Sequence, residues 1–187
     1  MIALWLPIIA AAIAVFIASS ITHMVLPYHR SDLRKLAGDQ EDVLLEALQR
    51  VGAAPGDYAV PHPGASSGMR DPAFIAKATK GPLALVTLAP GSAPSMGPSL
   101  ALWFVYCLVV SAFTAMLVWQ IVGPGGSLTL AFHFGSLIAL LAYGMALPQH
   151  SIWYRRSWAT TFKSLFDSLI YGLVTGGAFA WLWPNVS

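Results

Sequence analysis

Asp167 is the sharpest chemical candidate in the chain, because it is an ionisable residue inside an apolar run and such a group is costly unless a site uses or pairs it. Tyr171 lies four residues on and Lys163 four residues before, so on a helix all three share one face. Counted along their own apolar runs, His23, Tyr106 and Tyr143 fall at a similar depth, as do Ser19, Ser20 and Cys107. Together these predict a polar site in the inner leaflet made of His23, Tyr106, Tyr143, Asp167 and Tyr171, able to carry a proton, a small solute or the head of an amphiphile. The plainer expectation is that Asp167 sits just past the interface and pairs with Lys163, Arg155 or Arg156, since snorkelling near a helix end costs little.

Other chemistry finds less footing. His133 lies in the third apolar run towards the opposite face from His23, so the two do not form the same-level pair that a bis-histidine haem needs. His29, His62 and His150 fall in connecting segments without HxxxH or HExxH spacing, and no metal ligand set is expected from them. There is no P-loop and no serine nucleophile elbow, and no cofactor is expected. The single cysteine, Cys107, excludes an intramolecular disulfide and reads as a small core residue.

Four apolar runs must position these groups: Ala3 to Leu26, Ser99 to Val122, Leu128 to Leu147 and Leu165 to Trp183. Each is about 20 residues, enough to cross a hydrocarbon layer of ~30 Å at 1.5 Å per residue. With 57% hydrophobic and 10% charged residues, the composition is that of a polytopic membrane protein; a net charge of +2 gives no reason to expect nucleic acid. The first run follows no basic segment and is read as a retained helix, not a leader.

All ten basic residues lie in two segments. Seven fall between the first and second runs, and Arg155, Arg156 and Lys163 fall between the third and fourth. The positive-inside rule makes both segments cytoplasmic and both termini extracytoplasmic. The seven tryptophans are expected near the ends of the runs, where an indole meets both apolar chains and headgroups. The fold expected is an all-α integral membrane protein, a four-helix transmembrane bundle, in a bacterial inner membrane.

Residues 27–98 are too many for a plain connection and should form a small, mainly helical cytoplasmic cap. A helix is expected over Asp39 to Val51, with Asp39 and Asp42 as an approximate capping box, an apolar stripe of Val43, Ala47, Leu48 and Val51, and Gly52 as its end. A second begins at Asp71-Pro72 and ends with Lys77 and Lys80 before Gly81. Leu83 to Leu88 could be a strand without a visible partner, and Ala59 to Gly68 reads as a loop. The cap is either a lid on its own helices or a docking surface.

Residues 148–163 read as a basic, aromatic inner loop in which Arg155, Arg156 and Lys163 anchor the chain or hold anionic phospholipid. Small residues supply packing faces: Gly135 and Ala139, continued by Ala142 and Ala146, on the third helix, and Gly172, Gly176 and Gly177 on the fourth. His133, Ser136, Leu140 and Gly144 lie roughly opposite the first of these, so two neighbours are expected for the third helix, with self-association as a further use. The leading functional expectation is a non-catalytic accessory or assembly subunit that contacts other membrane proteins. The alternatives are an oligomeric small-solute, proton or lipid transporter and a quinone- or haem-associated oxidoreductase.

Overall fold

Apolar composition and helical propensity run together over most of this chain, and the computed structural model, which describes residues 4–91 and 95–184, is correspondingly helical. Its elements are α1 (Trp5–Ser20), α2 (Gln40–Val51), β1 (Gly56–Val60), α3 (Pro72–Lys80), β2 (Ala84–Leu88), α4 (Gly97–Val122), α5 (Leu128–Gly144), α6 (Pro148–Tyr154) and α7 (Trp158–Leu182). A π-helical segment, Ile21–Val25, extends α1, and a 3₁₀ turn follows at Pro27–Ser31. Four stretches are long and apolar enough to cross a membrane: Trp5–Val25, Gly97–Val122, Leu128–Tyr154 and Trp158–Leu182. The chain termini, read above as extracytoplasmic, lie outside the described residues.

The chain forms two units, one of residues up to Leu33 and from Ser95 onward, the other Arg34–Pro94. In the first, α1 packs on α4 and α7, and α5 packs on the same two, so the four long helices close into a bundle. The closest seam is between α5 and α7, and small residues make it possible. A Cβ on Gly172 or Gly176 would run into Ser136, Leu140 or the Phe132 carbonyl of α5, and one on Gly135 would press on Phe179 and Gly176. Such close backbone approach is how membrane helices gain packing energy where lipid offers no hydrophobic drive. Gly177 meets nothing and stands outside this seam. The stripe expected on α5 divides as well: Gly135 and Ala139 are buried, whereas Ala142 and Ala146 are exposed. Ser136, Leu140 and Gly144, expected to face a different neighbour, also meet α7, Gly144 through Ser168.

Near the end of the bundle where α4 gives way to α5, Trp183 donates from Nε1 to the Gly123 carbonyl at 2.9 Å, and the Gly125 amide donates to Pro184 at 2.9 Å. These bonds tie the glycine-rich turn after α4 to the end of α7. Phe179, Val118 and Ala11 form the core beneath it.

The opposite ends depart from expectation in two respects. Residues 148–163 are not a loop: α6 and the first turns of α7 occupy most of them, and the connection shrinks to Arg155–Ser157. Pro148 marks the break, because it has no N–H for the Gly144 carbonyl, and the chain passes through the turn at 145–147 before resuming as α6. Arg155, in the left-handed region at φ 53°, ends α6, and the Arg156 amide donates back to His150 at 3.2 Å. As α7 starts seven residues before Leu165, Asp167 lies more than two turns along its helix and is 2% exposed, well beyond the first turn expected from composition.

In the unit 34–94, α3 is capped as expected, with the Ala73 amide donating to Asp71 at 2.8 Å. α2 ends at Gly52 in the left-handed region, but Asp39 makes no side-chain cap, so the capping box is absent. The apolar stripe of α2 stays largely uncovered: Leu48 is half-buried, whereas Val43 and Val51 are 61% and 74% exposed. β2 does have a partner. It pairs antiparallel with β1 in the register Gly56↔Leu88, Tyr58↔Val86 and Val60↔Ala84, so the loop expected from Ala59 begins inside a strand and ends inside a 3₁₀ turn, Ser66–Arg70. Five residues with Gly and Asp at their head carry too little alternation to be read as a strand alone.

Candidate functional site

The site is made where the chain doubles back after α1. Leu26 precedes a proline and is held extended (φ −77°, ψ 140°), and Pro27 starts the 3₁₀ turn with a ring that lacks the donor the first position would waste. That reversal lays Tyr28, His29 and Asp32 against α7. Just before it, the π-helical segment carries Thr22 and His23, and the Leu26 amide closes its wide turn on the Ile21 carbonyl at 3.0 Å. Such wide turns are common where a helix presents a side chain to a site.

Asp167 is the centre. Tyr28 donates its phenolic hydrogen to Oδ1. His29 Nε2 stands 2.8 Å from Oδ2, and His23 Nε2 stands 3.9 Å from the same oxygen. The other nitrogen of His29 faces Asp32 Oδ2 at 2.6 Å, and Asp32 Oδ1 receives Lys163 Nζ at 2.8 Å. Lys163 also donates to Ser31 Oγ at 2.8 Å and to the Tyr28 carbonyl at 2.5 Å. The two carboxylates thus flank His29, one at each ring nitrogen, and Lys163 pairs with the outer one. A buried carboxylate needs this pairing together with hydrogen bonds on its remaining lone pairs.

His23 is fixed on its inner side. Its Nδ1 lies 2.9 Å from Thr22 Oγ1 and 3.2 Å from the Ser19 carbonyl, and its ring stacks on His29 with centroids 4.2 Å apart. Thr22 Oγ1 in turn lies 3.3 Å from the Tyr171 hydroxyl. Outside the spanning helices, burial followed by the Asp167 carboxylate pushes the Tyr28 phenol up. Partial burial opposes ionisation of Asp32, yet hydrogen bonds from His29 and Lys163 outweigh it and hold that carboxyl below its usual range.

Beside this cluster lies a cavity of about 510 Å³ with His23, Tyr106, Tyr143, Asp167 and Tyr171 all on its wall. Met24, Met96, Leu100, Trp103 and Leu147 supply most of the remaining apolar and aromatic lining. Trp103 packs against Tyr106, Tyr143 and Tyr171, and its Nε1 donates to Ser19 Oγ at 2.8 Å. The Tyr143 hydroxyl is buried beside the Cys107 thiol and has no nitrogen or oxygen partner among the described residues.

The five residues singled out from sequence therefore share one cavity wall, but the immediate partners of Asp167 are different from those expected. Lys163 pairs with Asp32, and Arg155 and Arg156 make no ion pair among the described residues, so the plainer reading of Asp167 as an interfacial partner of those three cations does not hold. His29, placed by sequence in a connecting segment, is its closest ionisable neighbour. Tyr28, His29 and Asp32 carried no sequence signal beyond their polarity, because nothing local in residues 27–33 indicates a return to α7. His23, His29 and Asp167 bring ligand-type atoms within 4.8 Å of one another, although the histidines are spaced as no standard motif. His133 is exposed, bonds the Thr129 carbonyl at 2.8 Å, and precedes Tyr143 on its helix by ten residues, or ~15 Å. Comparison with protein-family models, curated proteins and solved structures finds no match to this chain.

Proposed function

We propose that this chain is a multi-pass membrane protein that takes a neutral amphiphile into the cavity between α1, α4, α5 and α7. The observation that carries this reading is the combination of an apolar, aromatic wall with one buried hydroxyl, Tyr143, that has no nitrogen or oxygen partner among the described residues. A volume of about 510 Å³ is in the range of small-molecule pockets. A buried donor left unmade costs on the order of 1–3 kcal/mol, so a ligand that supplies an acceptor gains by binding there. Asp167 already has Tyr28 and His29 on its oxygens, and its charge disfavours an anionic head. A carbonyl or hydroxyl oxygen on an apolar body fits best. This is the lipid branch of the transport reading, and the basic segments would face the cytoplasm.

The accessory-subunit reading draws less support, since Gly135, Gly172 and Gly176 are occupied within the bundle and an external partner would need other surfaces. Arg155 and Arg156, exposed between α6 and α7, remain candidates for anionic lipid; Lys163 is engaged by Asp32 and is a poorer one. The test is extraction of the protein in mild detergent, followed by mass spectrometry of retained lipid for wild type and for Leu100→Trp, which fills the cavity. A neutral lipid retained near one per chain and lost in the folded variant supports the reading. Retention unchanged by the substitution overturns it.

A further inference from the structure

The geometry points to a transition-metal site formed by His23, His29 and Asp167, with a coordination position open to the cavity. Each inward-facing atom is already oriented by a neighbour of the kind that supports metal ligands. His29 Nδ1 is held by the Asp32 carboxylate at 2.6 Å, and Asp32 is held by Lys163 at 2.8 Å. His23 Nδ1 is held by the Ser19 carbonyl at 3.2 Å. Tyr28 occupies the other oxygen of Asp167. When Nδ1 of each histidine donates outward, its Nε2 carries a lone pair, 2.8 Å from Asp167 Oδ2 for His29 and 3.9 Å for His23. Three acceptor atoms within 4.8 Å of one another favour a proton or a cation between them. A carboxylate or carbonyl behind each ligating imidazole is the usual outer shell of zinc and related sites.

The spacing suits a small ion. Ligands ~2.0–2.1 Å from a metal at cis or tetrahedral angles lie about 2.8–3.4 Å apart. His29 to Asp167 is 2.8 Å and His23 to Asp167 is 3.9 Å. Closure needs His23 to tilt out of its stack on His29 with Nδ1 kept against the Ser19 carbonyl, and its side chain is 51% exposed. Two imidazoles and one carboxylate select zinc or another first-row divalent ion over magnesium or calcium, which prefer all-oxygen shells. His23 and Asp167 both line the cavity, so water or a bound oxygen ligand has access to a fourth position, as in sites with three protein ligands.

The site stands independently of the amphiphile, and the test separates the two. Untagged protein, delipidated in detergent and stripped with chelator, is titrated with Co²⁺ alone and then with Zn²⁺ as competitor. One Co²⁺ per chain is expected, with visible ligand-field bands that Zn²⁺ removes. His23→Gln and His29→Gln should each weaken binding by 10-fold or more, and Asp32→Asn by about 10- to 100-fold through loss of orientation. His133→Gln should bind as wild type does. X-ray absorption at the zinc edge of the wild-type protein needs no variant and should find two imidazoles with oxygen ligands. Absence of stoichiometric Co²⁺ binding, affinity unmoved in both folded histidine variants, or a zinc shell without imidazole would each overturn the proposal.

Discussion

His29 and Asp167, 138 residues apart in sequence, meet at 2.8 Å, and this contact joins the turn after α1 to the middle of α7. Lys163, Asp32, His29 and Asp167 follow one another along one line of polar contacts, so removal of any one leaves a neighbour without its partner.

Asp167→Asn should therefore be expensive. Breaking one side of a buried ion pair costs about 3–5 kcal/mol, against ~1 kcal/mol for an exposed one. Unfolding titrations in mixed detergent micelles would measure the difference. A loss below ~1 kcal/mol would mean that Asp167 is wetter than its 2% exposure implies.

Lys163 and Asp32 should behave as a coupled pair. A double-mutant cycle with Lys163→Gln and Asp32→Asn is expected to give a coupling of roughly 0.5–3 kcal/mol, the range for residues in one network. Additive losses would show that the 2.8 Å contact contributes nothing to the fold.

Gly176 and Gly177 are adjacent yet should respond oppositely. Gly176→Val places a side chain against Ser136 and the Phe132 carbonyl and should cost about 1–3 kcal/mol by overpacking. Gly177→Ala meets open space and should stay within ~0.5 kcal/mol of wild type. Thermal unfolding of the two variants, each in the same detergent, checks both values.

Tyr143→Phe removes a buried hydroxyl that has no nitrogen or oxygen partner among the described residues, so the delipidated protein should be unchanged or slightly more stable. Retention of the neutral amphiphile should fall in the same variant. A stability loss above ~1 kcal/mol in delipidated protein would reveal a bond within the chain that the hydroxyl already makes.

Arg155→Gln with Arg156→Gln should lower co-purified anionic phospholipid, at about 1 kcal/mol per cation, with little change in zwitterionic lipid. Quantitative lipid mass spectrometry of the folded double variant decides this. Lys163→Gln should have less effect on that lipid, because Lys163 is spent on Asp32.

The four long helices were legible in the sequence because their signal is local. A run such as Ser99 to Val122 meets the length and apolarity of a span whatever its neighbours do, and Asp71-Pro72 with Gly81 marks α3 by backbone preferences alone. The start of α7 was not legible, since Trp158 to Ser164 is helical through contacts with α6 and the 3₁₀ turn and has no apolar run of its own. Nor was β1, whose five residues acquire order only from β2. Depth counting brought His23, Tyr106, Tyr143, Asp167 and Tyr171 to one level, because rise per residue is nearly constant along a helix. Which groups touch Asp167 was decided by tertiary structure. The reversal at Leu26-Pro27 returns Tyr28, His29 and Asp32 to α7, and the path of an irregular turn depends on the surface it folds against, which no local pattern encodes.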